Sequence, residues 1–411
     1  MKTLITALLV FSSPQLACSE KVINDFLMAA EENVNYFKPS GLSEQEMGAF
    51  TTWIEDAQFR VKTITDNNFS FNNHDESYEI RIQPKAWGQR DLENNLLKLQ
   101  LTQYNNRYTQ LLTSALTKRY FVIMDYLEHQ YKTRYQIKLS SLLEQESQLL
   151  SSQVTSSSFN AKKLLETQEM LEHSKDMLVL YMKRLNATRK LLGLPQVYSD
   201  NLQSLSDTDW VIKVSEIDRF LLLAEKTDLD ESAPAVVDAK TRLKMIQTEN
   251  QLLKTKQQLG VDLLRFEYKD SKNDEMAFQL GVNIPLGSSY NGIKSYRKLS
   301  MEQSQLENKT RELRQTLVQI RQEIDWLSQE LRLMQASSER IRKRLRQKSI
   351  GSDPFLTISL QKQLFADQIK YFERKKNLLK HYVSYLATSG KLTEQPLRNW
   401  IQSGTPHLIP R

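Results

Sequence analysis

Phe278-Gln279-Leu280-Gly281-Val282-Asn283-Ile284-Pro285-Leu286 decides how this chain is read. Every even position is apolar, and Gln279 and Asn283 stand between them. Successive side chains point to opposite faces only in an extended strand, so this period of two gives one oily and one wet face. Three further stretches share the texture: Gln58-Phe59-Arg60-Val61-Lys62-Thr63, Tyr78-Glu79-Ile80-Arg81-Ile82-Gln83-Pro84 and Leu264-Arg265-Phe266-Glu267-Tyr268-Lys269. Polar loops join the four into two hairpins.

Sorted by face, Phe59, Val61, Tyr78, Ile80, Ile82, Leu264, Phe266, Tyr268, Phe278, Leu280, Val282, Ile284 and Leu286 fall on one side. Arg60, Lys62, Glu79, Arg81, Gln83, Arg265, Glu267, Lys269, Gln279 and Asn283 fall on the other. Strands of about 9–11 residues, apolar towards lipid and polar towards a lumen, are what a membrane β-barrel requires. Trp87 and Tyr290, just past the strand ends, are expected at the headgroup level. The competing reading is a pair of hairpins on a soluble sheet with the apolar face on a core. Four strands do not close a barrel, and open edges in lipid leave N–H and C=O groups unpaired. A ring of identical chains is the simple completion. On the wet face, five basic side chains stand against Glu79 and Glu267. This reads as a hydrated wall with locally cancelling pairs; a preference for anionic solutes is the alternative.

Outward from the hairpins the period changes from two to that of a helix. From about Trp87 to Gln153 apolar residues recur at spacings of three and four (Leu92, Leu96, Leu99, Tyr108, Leu111, Leu112, Ala115), with no Pro and no Gly after Gly88. Some 65 helical residues reach about 100 Å, longer than any single globular core. A shorter helix follows Thr155-Ser156-Ser157-Ser158 and stops at Gly193-Leu194-Pro195. About 200 residues later the plan recurs. A helix from about Ser295 to Lys348 breaks at Gly351-Ser352-Asp353-Pro354, and a partner runs from Phe355 to about Ser389-Gly390. This predicts a duplicated half-molecule: mainly α, with a small β part.

The composition agrees. The 411 residues include only 11 Gly and 10 Pro, too few for an all-β chain that turns every 8–12 residues. A net charge of +7 is mild, with Lys and Arg interleaved with Glu and Asp, which does not suit a nucleic-acid surface. Lys2 and the apolar run Leu4 to Phe11, followed by Ser12-Ser13-Pro14, read as a secretory signal. No stretch approaches the roughly 18 apolar residues of a membrane helix, so any membrane is expected to be crossed by strands. The one cysteine, Cys18, excludes a disulfide within the chain and is a candidate lipidation site. Five scattered His residues and the absence of nucleophile, phosphate-loop or dinucleotide motifs give no catalytic, cofactor or metal site. The chain therefore reads as a non-enzyme.

With these features in order, the sequence resembles the TolC-like outer membrane factors of Gram-negative bacteria. The resemblance rests on the repeated strand–strand–long-helix plan and on residues 278–287 as a final strand ending in Pro-Leu. It rests also on the helix start Ala233-Pro234-Ala235-Val236-Val237-Asp238, the turn Ser349 to Phe355 and the helix end Leu191-Leu192-Gly193. It implies a homotrimer with a 12-stranded barrel in the outer membrane, continued by a periplasmic α-helical barrel. It also implies a periplasmic adaptor and an inner-membrane transporter as partners. The function implied is a passive export duct, in tripartite efflux or type I secretion. On this reading residues 1–18 are the signal, 19–57 an N-terminal periplasmic segment, and 58–86 and 261–287 the two transmembrane hairpins. Residues 87–195 and 288–390 are the helix pairs, 196–232 an equatorial linker, 233–260 a lead-in helix and 391–411 a tail. The resemblance further assigns adaptor contact at the periplasmic tip to Val154, Ser156, Ser157, Phe159, Ile350, Gly351, Ser352, Asp353 and Phe355. Turn and cap chemistry alone is the competing reading of those residues. A periplasmic coiled-coil adaptor or scaffold is the alternative for the whole chain.

Overall fold

The fold was obtained as a computed structural model. It describes residues 14–38, 52–65, 74–155, 159–197, 210–224, 233–257, 260–270, 275–284, 291–347, 353–394 and 397–404. The order of the main elements is α1 (Pro14–Val34), β1 (Ile54–Thr65), β2 (His74–Pro84), α2 (Gln89–Ser152), α3 (Ala161–Leu191), α4 (Val214–Ala224), α5 (Pro234–Lys256), β3 (Gly260–Asp270), β4 (Glu275–Asn283), α6 (Asn291–Leu345) and α7 (Pro354–Ser389). The chain is mainly helical with one small antiparallel sheet, and it divides into two compact units.

The helical unit holds residues 1–36, 109–233 and 313–411. Its core is made by the inward stripe of each long helix. Leu112, Leu116, Tyr120, Ile123, Met124 and Leu127 of α2 are buried, as are Ile324, Leu327 and Leu331 of α6 and Leu378, Leu379, Tyr382, Val383 and Leu386 of α7. These spacings of three and four are the helical period that the sequence carries. Side-chain contacts link the helices in the lateral order α3, α2, α7, α6. Gln136 of α2 donates to Ser174 of α3 at 2.7 Å. Tyr131 of α2 stacks on Phe372 of α7 with ring centroids 4.1 Å apart. Arg374 of α7 meets Glu330 of α6 at 3.0 Å. The two outer helices also carry exposed apolar side chains: Leu165, Val179, Leu180 and Leu191 on α3, and Val318, Trp326 and Leu333 on α6.

The region expected to be an equatorial linker contains α4, which is strongly amphipathic and buries Ile217, Leu221 and Ala224. Residues 397–402, expected within a tail, are packed as a strap. Trp400 and Ile401 are buried, Ile212 N–H donates to the Ile401 carbonyl at 2.8 Å, and the Tyr120 hydroxyl donates to the Arg398 carbonyl at 3.1 Å. Phe220 of α4 meets both Tyr382 and Trp400 edge-on. Glu216, in the first turn of α4, accepts from the Lys213 and Gly404 N–H groups and the Ser403 hydroxyl. Burial opposes its charge, but these donors outweigh burial and hold its carboxyl below the usual range.

The strand-bearing unit holds residues 37–108 and 234–312. Its sheet has the order β1-β2-β3-β4, antiparallel throughout, so β1 and β4 are its edges. β3 lies against β2, which joins the two hairpins although nearly 180 residues separate them in sequence. Gly281 lies opposite Leu263, where the register shifts by one residue. A Cβ there would lie 3.0 Å from the Leu263 Cβ, a contact tight enough that Leu263 would have to yield, so glycine suits the close approach.

Candidate functional site

The sheet carries the expected site residues, and its register brings them into rows. Phe59, Ile80, Phe266 and Phe278 face one another across all four strands, as do Val61, Tyr78, Tyr268 and Met276. Phe266 and Phe278 rings lie 4.9 Å apart, and Phe59 stacks on Tyr78. These are the cross-strand aromatic pairs that hold a sheet together. On the opposite face Arg60 pairs with Glu79, Glu79 with Glu267, and Arg81 with Arg265.

The apolar face of the sheet is left open, which a protein in water avoids. Phe59, Val61, Ile80, Phe266, Phe278, Leu280, Val282 and Ile284 are all exposed, Phe278 to 60% and Ile284 to 62%, and Ile82 is half-buried. Glu79 is 2% exposed, and Ser77 beside it is 3% exposed. Each of the large apolar side chains is worth about 1.5–3 kcal/mol when buried. Eight left in water forgo about 12–24 kcal/mol, as much as the roughly 5–15 kcal/mol by which a whole domain is stable or more. The polar face is knit within itself. Arg265 Nε lies 3.0 Å from Glu79 Oε1, an ion pair whose N–H is not aimed at the oxygen, and Arg265 Nη2 reaches Glu267 at 2.9 Å. Lys62 lies 3.4 Å from the other Glu79 oxygen, and the Ser77 hydroxyl donates to Glu267 at 2.9 Å.

β4 starts at Glu275, which falls in register with Lys269, so the wet face carries a carboxylate at this level as well. Arg60 and Lys269 are exposed, whereas Arg81 is half-buried. Trp87 is 98% exposed, next to Gly88 with φ +79°, just before α2 begins. Tyr290 lies outside the described residues. At the foot of the sheet the Gln89 side chain accepts from the Ala86 N–H and donates to Glu93, which also pairs with Lys85. Burial opposes the Glu93 charge, but the Lys85 and Gln89 hydrogen bonds prevail and lower its pKa.

In the helical unit the structure brings the two turn regions together. Asn160 caps α3 by accepting from the Lys163 N–H at 3.0 Å. Asp353 caps α7 by accepting from Phe355 and Leu356 N–H at 3.0 and 3.1 Å, with Pro354 in the first turn. Lys163 Nζ then sits 4.7 Å over the Phe355 ring and 3.8 Å from Glu146, which also pairs with Lys362. Val154 is exposed, while Phe159 and Phe355 are half-buried. Ser156, Ser157, Ile350, Gly351 and Ser352 lie outside the described residues. Lys163, Glu146 and Lys362 were not among the expected site residues, since no local pattern marks a contact between helix ends so far apart in sequence. Cys18 lies in α1, and its side chain is outside what the structure describes. Among the described residues no cluster of His, Cys, Asp and Glu could hold a metal ion, and no helix is long and apolar enough to cross a membrane.

No protein-family model matches the chain, and no curated protein matches it in sequence. Solved structures do match in fold. CusC, described for the conformational changes that accompany its folding and transmembrane channel formation, aligns with a TM-score of 0.61 at 12% identity, over 90% of this chain and 91% of CusC. The outer membrane protein VceC of Vibrio cholerae aligns at 0.58 and 11% identity, over 91% of this chain and 96% of its own. The CmeC outer membrane channel of Campylobacter jejuni aligns at 0.52 and 11% identity, over 92% and 86%. The chain therefore has the fold of the TolC-like outer membrane factors that its motifs resemble.

Proposed function

We propose that this chain is one third of an outer-membrane channel-tunnel, a passive export duct serving a tripartite efflux or type I secretion system. One observation carries the reading: a sheet with its oily face exposed, Glu79 buried among ion pairs on its charged face, and both edge strands open. Three copies, joined β4 to β1, would close a 12-stranded barrel with apolar side chains in lipid and charged ones around water. The helices repeat the logic. Exposed apolar side chains lie on α3 and α6, the outer members of the lateral order, so α6 of one copy would cover α3 of the next. A head-to-tail contact of this kind makes a closed ring when its rotation closes. The order strand, strand, long helix, shorter helix occurs twice, which supports a duplicated half-molecule. The long helices would line the periplasmic part of the duct. Their turn regions, with Val154, Phe159, Asp353 and Phe355, would receive the adaptor, beyond which stands an inner-membrane transporter. The duct has no catalytic step: the solute passes through a hydrated lumen and the transporter supplies the work.

Fractionation tests this directly. The expressed full chain should sediment with the outer membrane and run as a trimer whose mobility changes on heating. A monomer in the soluble periplasmic fraction would end the duct reading and leave a coiled-coil adaptor or scaffold.

A further inference from the structure

The register sorts the charges of the wet face into levels that the sequence does not display. One row reads Gln58, Arg81, Arg265, Gln279; the next Arg60, Glu79, Glu267, Ala277; the third Lys62, Ser77, Lys269, Glu275. The three rows hold five basic and three acidic side chains, a balance of +2 per chain. The first row has two guanidinium groups directly opposite each other and no carboxylate. Like charges so placed repel unless something neutralises them. Arg265 is neutralised diagonally, by Glu79 at 3.0 Å and Glu267 at 2.9 Å. Lys62 takes the other Glu79 oxygen. Gln58 is engaged by Arg60 and by Asp56, which lies one row further on, opposite Gln83. Arg81 takes part in none of these pairs. Its Nε is buried without a hydrogen-bond partner, and among the described residues it makes no ion pair. A half-buried guanidinium held beside another, with its Nε unpaired and no ion pair of its own among the described residues, is a group that still needs an anion.

We propose that Arg81 is the specificity-determining cation of the duct. Its copies around the axis would form a belt that admits small anionic solutes, such as carboxylates, phosphates and sulfates, in preference to cations. The proposal rests on the reading that three copies close a barrel with this face inward. A lumen with low-dielectric walls focuses the field of such a belt, and a potential of one kT enriches a monovalent anion about threefold. The planar fork of a guanidinium suits oxyanions.

The test is the reversal potential of the purified full chain in planar bilayers under a KCl gradient, with trimer mobility verified for every variant. The wild type should favour chloride over potassium by about threefold or more. Arg81→Gln brings the three-row balance to +1 and should cut the ratio, and Arg81→Glu brings it to zero and should lower the ratio to about 1. Arg81→Lys should keep the preference. Arg60→Gln removes the same charge one row away, from an exposed residue, and should shift the ratio less than Arg81→Gln does. A cation-preferring wild type overturns the proposal, as does an Arg60→Gln shift equal to that of Arg81→Gln. Both outcomes leave a conducting duct standing. Absence of any conductance from trimeric wild-type protein overturns the duct reading itself, and this proposal with it.

Discussion

The helical unit and the sheet obey one rule of side-chain sorting with opposite signs. In the helical unit Leu331 is fully buried and the charges are mostly at the surface. In the sheet Phe278 is exposed and Glu79 is buried. Hydrophobic burial follows the solvent, not the fold, so the open apolar face of the sheet fits the proposed lipid contact. This is the sorting expected if, as proposed, the strands face lipid and the helices water. The sheet also explains why its charges are paired: Glu79 and Glu267, opposite each other, would repel if Arg265, Lys62 and Ser77 did not engage both.

This contrast can be broken by substitution. The largest effect is expected at the helical core. Leu331→Ala should cost about 2–5 kcal/mol, read by denaturant or thermal unfolding of the helical signal, because the void left behind collapses only in part. A change below about 0.5 kcal/mol would mean that this face of α6 is not a core. Next comes Ile80→Arg on the exposed sheet face. In lipid it should cost about 2–4 kcal/mol, seen as lost trimer in the membrane fraction. If that face met water, the same change would stay within about 0.5 kcal/mol and leave assembly untouched.

A third test concerns the ionic seam between α2 and α7. Glu128 receives Lys132 at 2.8 Å and pairs with Lys376, while Lys132 also reaches Glu373 and Lys376 reaches Asp125. Burial alone would raise the Glu128 pKa, but hydrogen bonds from Lys132 and Lys376 outweigh it and bring it from 4.5 down to about 2. With the folded pKa depressed, the contribution is fully present above pH 4.5 and is lost as pH falls towards 2. Glu128→Gln should cost about 1–3 kcal/mol at neutral pH, and that difference should shrink as wild type and variant are both taken down through this window. A pH-independent difference would sink the assignment. The smallest effect is expected at the α7 cap. Asp353→Ala should cost about 1 kcal/mol, while Asp353→Asn should cost little, both read in thermal unfolding. Equal losses would show that charge, and not the cap geometry, is what Asp353 supplies.

Much of this was legible in the residues because it is periodic. Alternation at Tyr78 to Gln83 sets the faces of β2 without reference to anything distant. The α7 boundaries follow from Asp353-Pro354 and Gly390, whose φ of +82° is the left-handed cap that glycine favours. The unread parts depend on partners remote in sequence. Nothing near Glu275 says that it faces Lys269, and nothing near Trp400 says that a terminal strap is core. Lys163 gains its place over Phe355 only when two helix starts, almost 200 residues apart, are brought side by side.

The sequence by itself determined where helices and strands run and which face of each is oily, because backbone geometry fixes side-chain direction at periods of 3.6 and 2. Only the tertiary structure decided which strands are neighbours and at what register, and hence that Arg81 stands directly opposite Arg265. Pairing is a choice among many long-range contacts of similar chemistry. A shift of one residue reverses every side chain, and only the packed whole selects the one alignment that satisfies both faces.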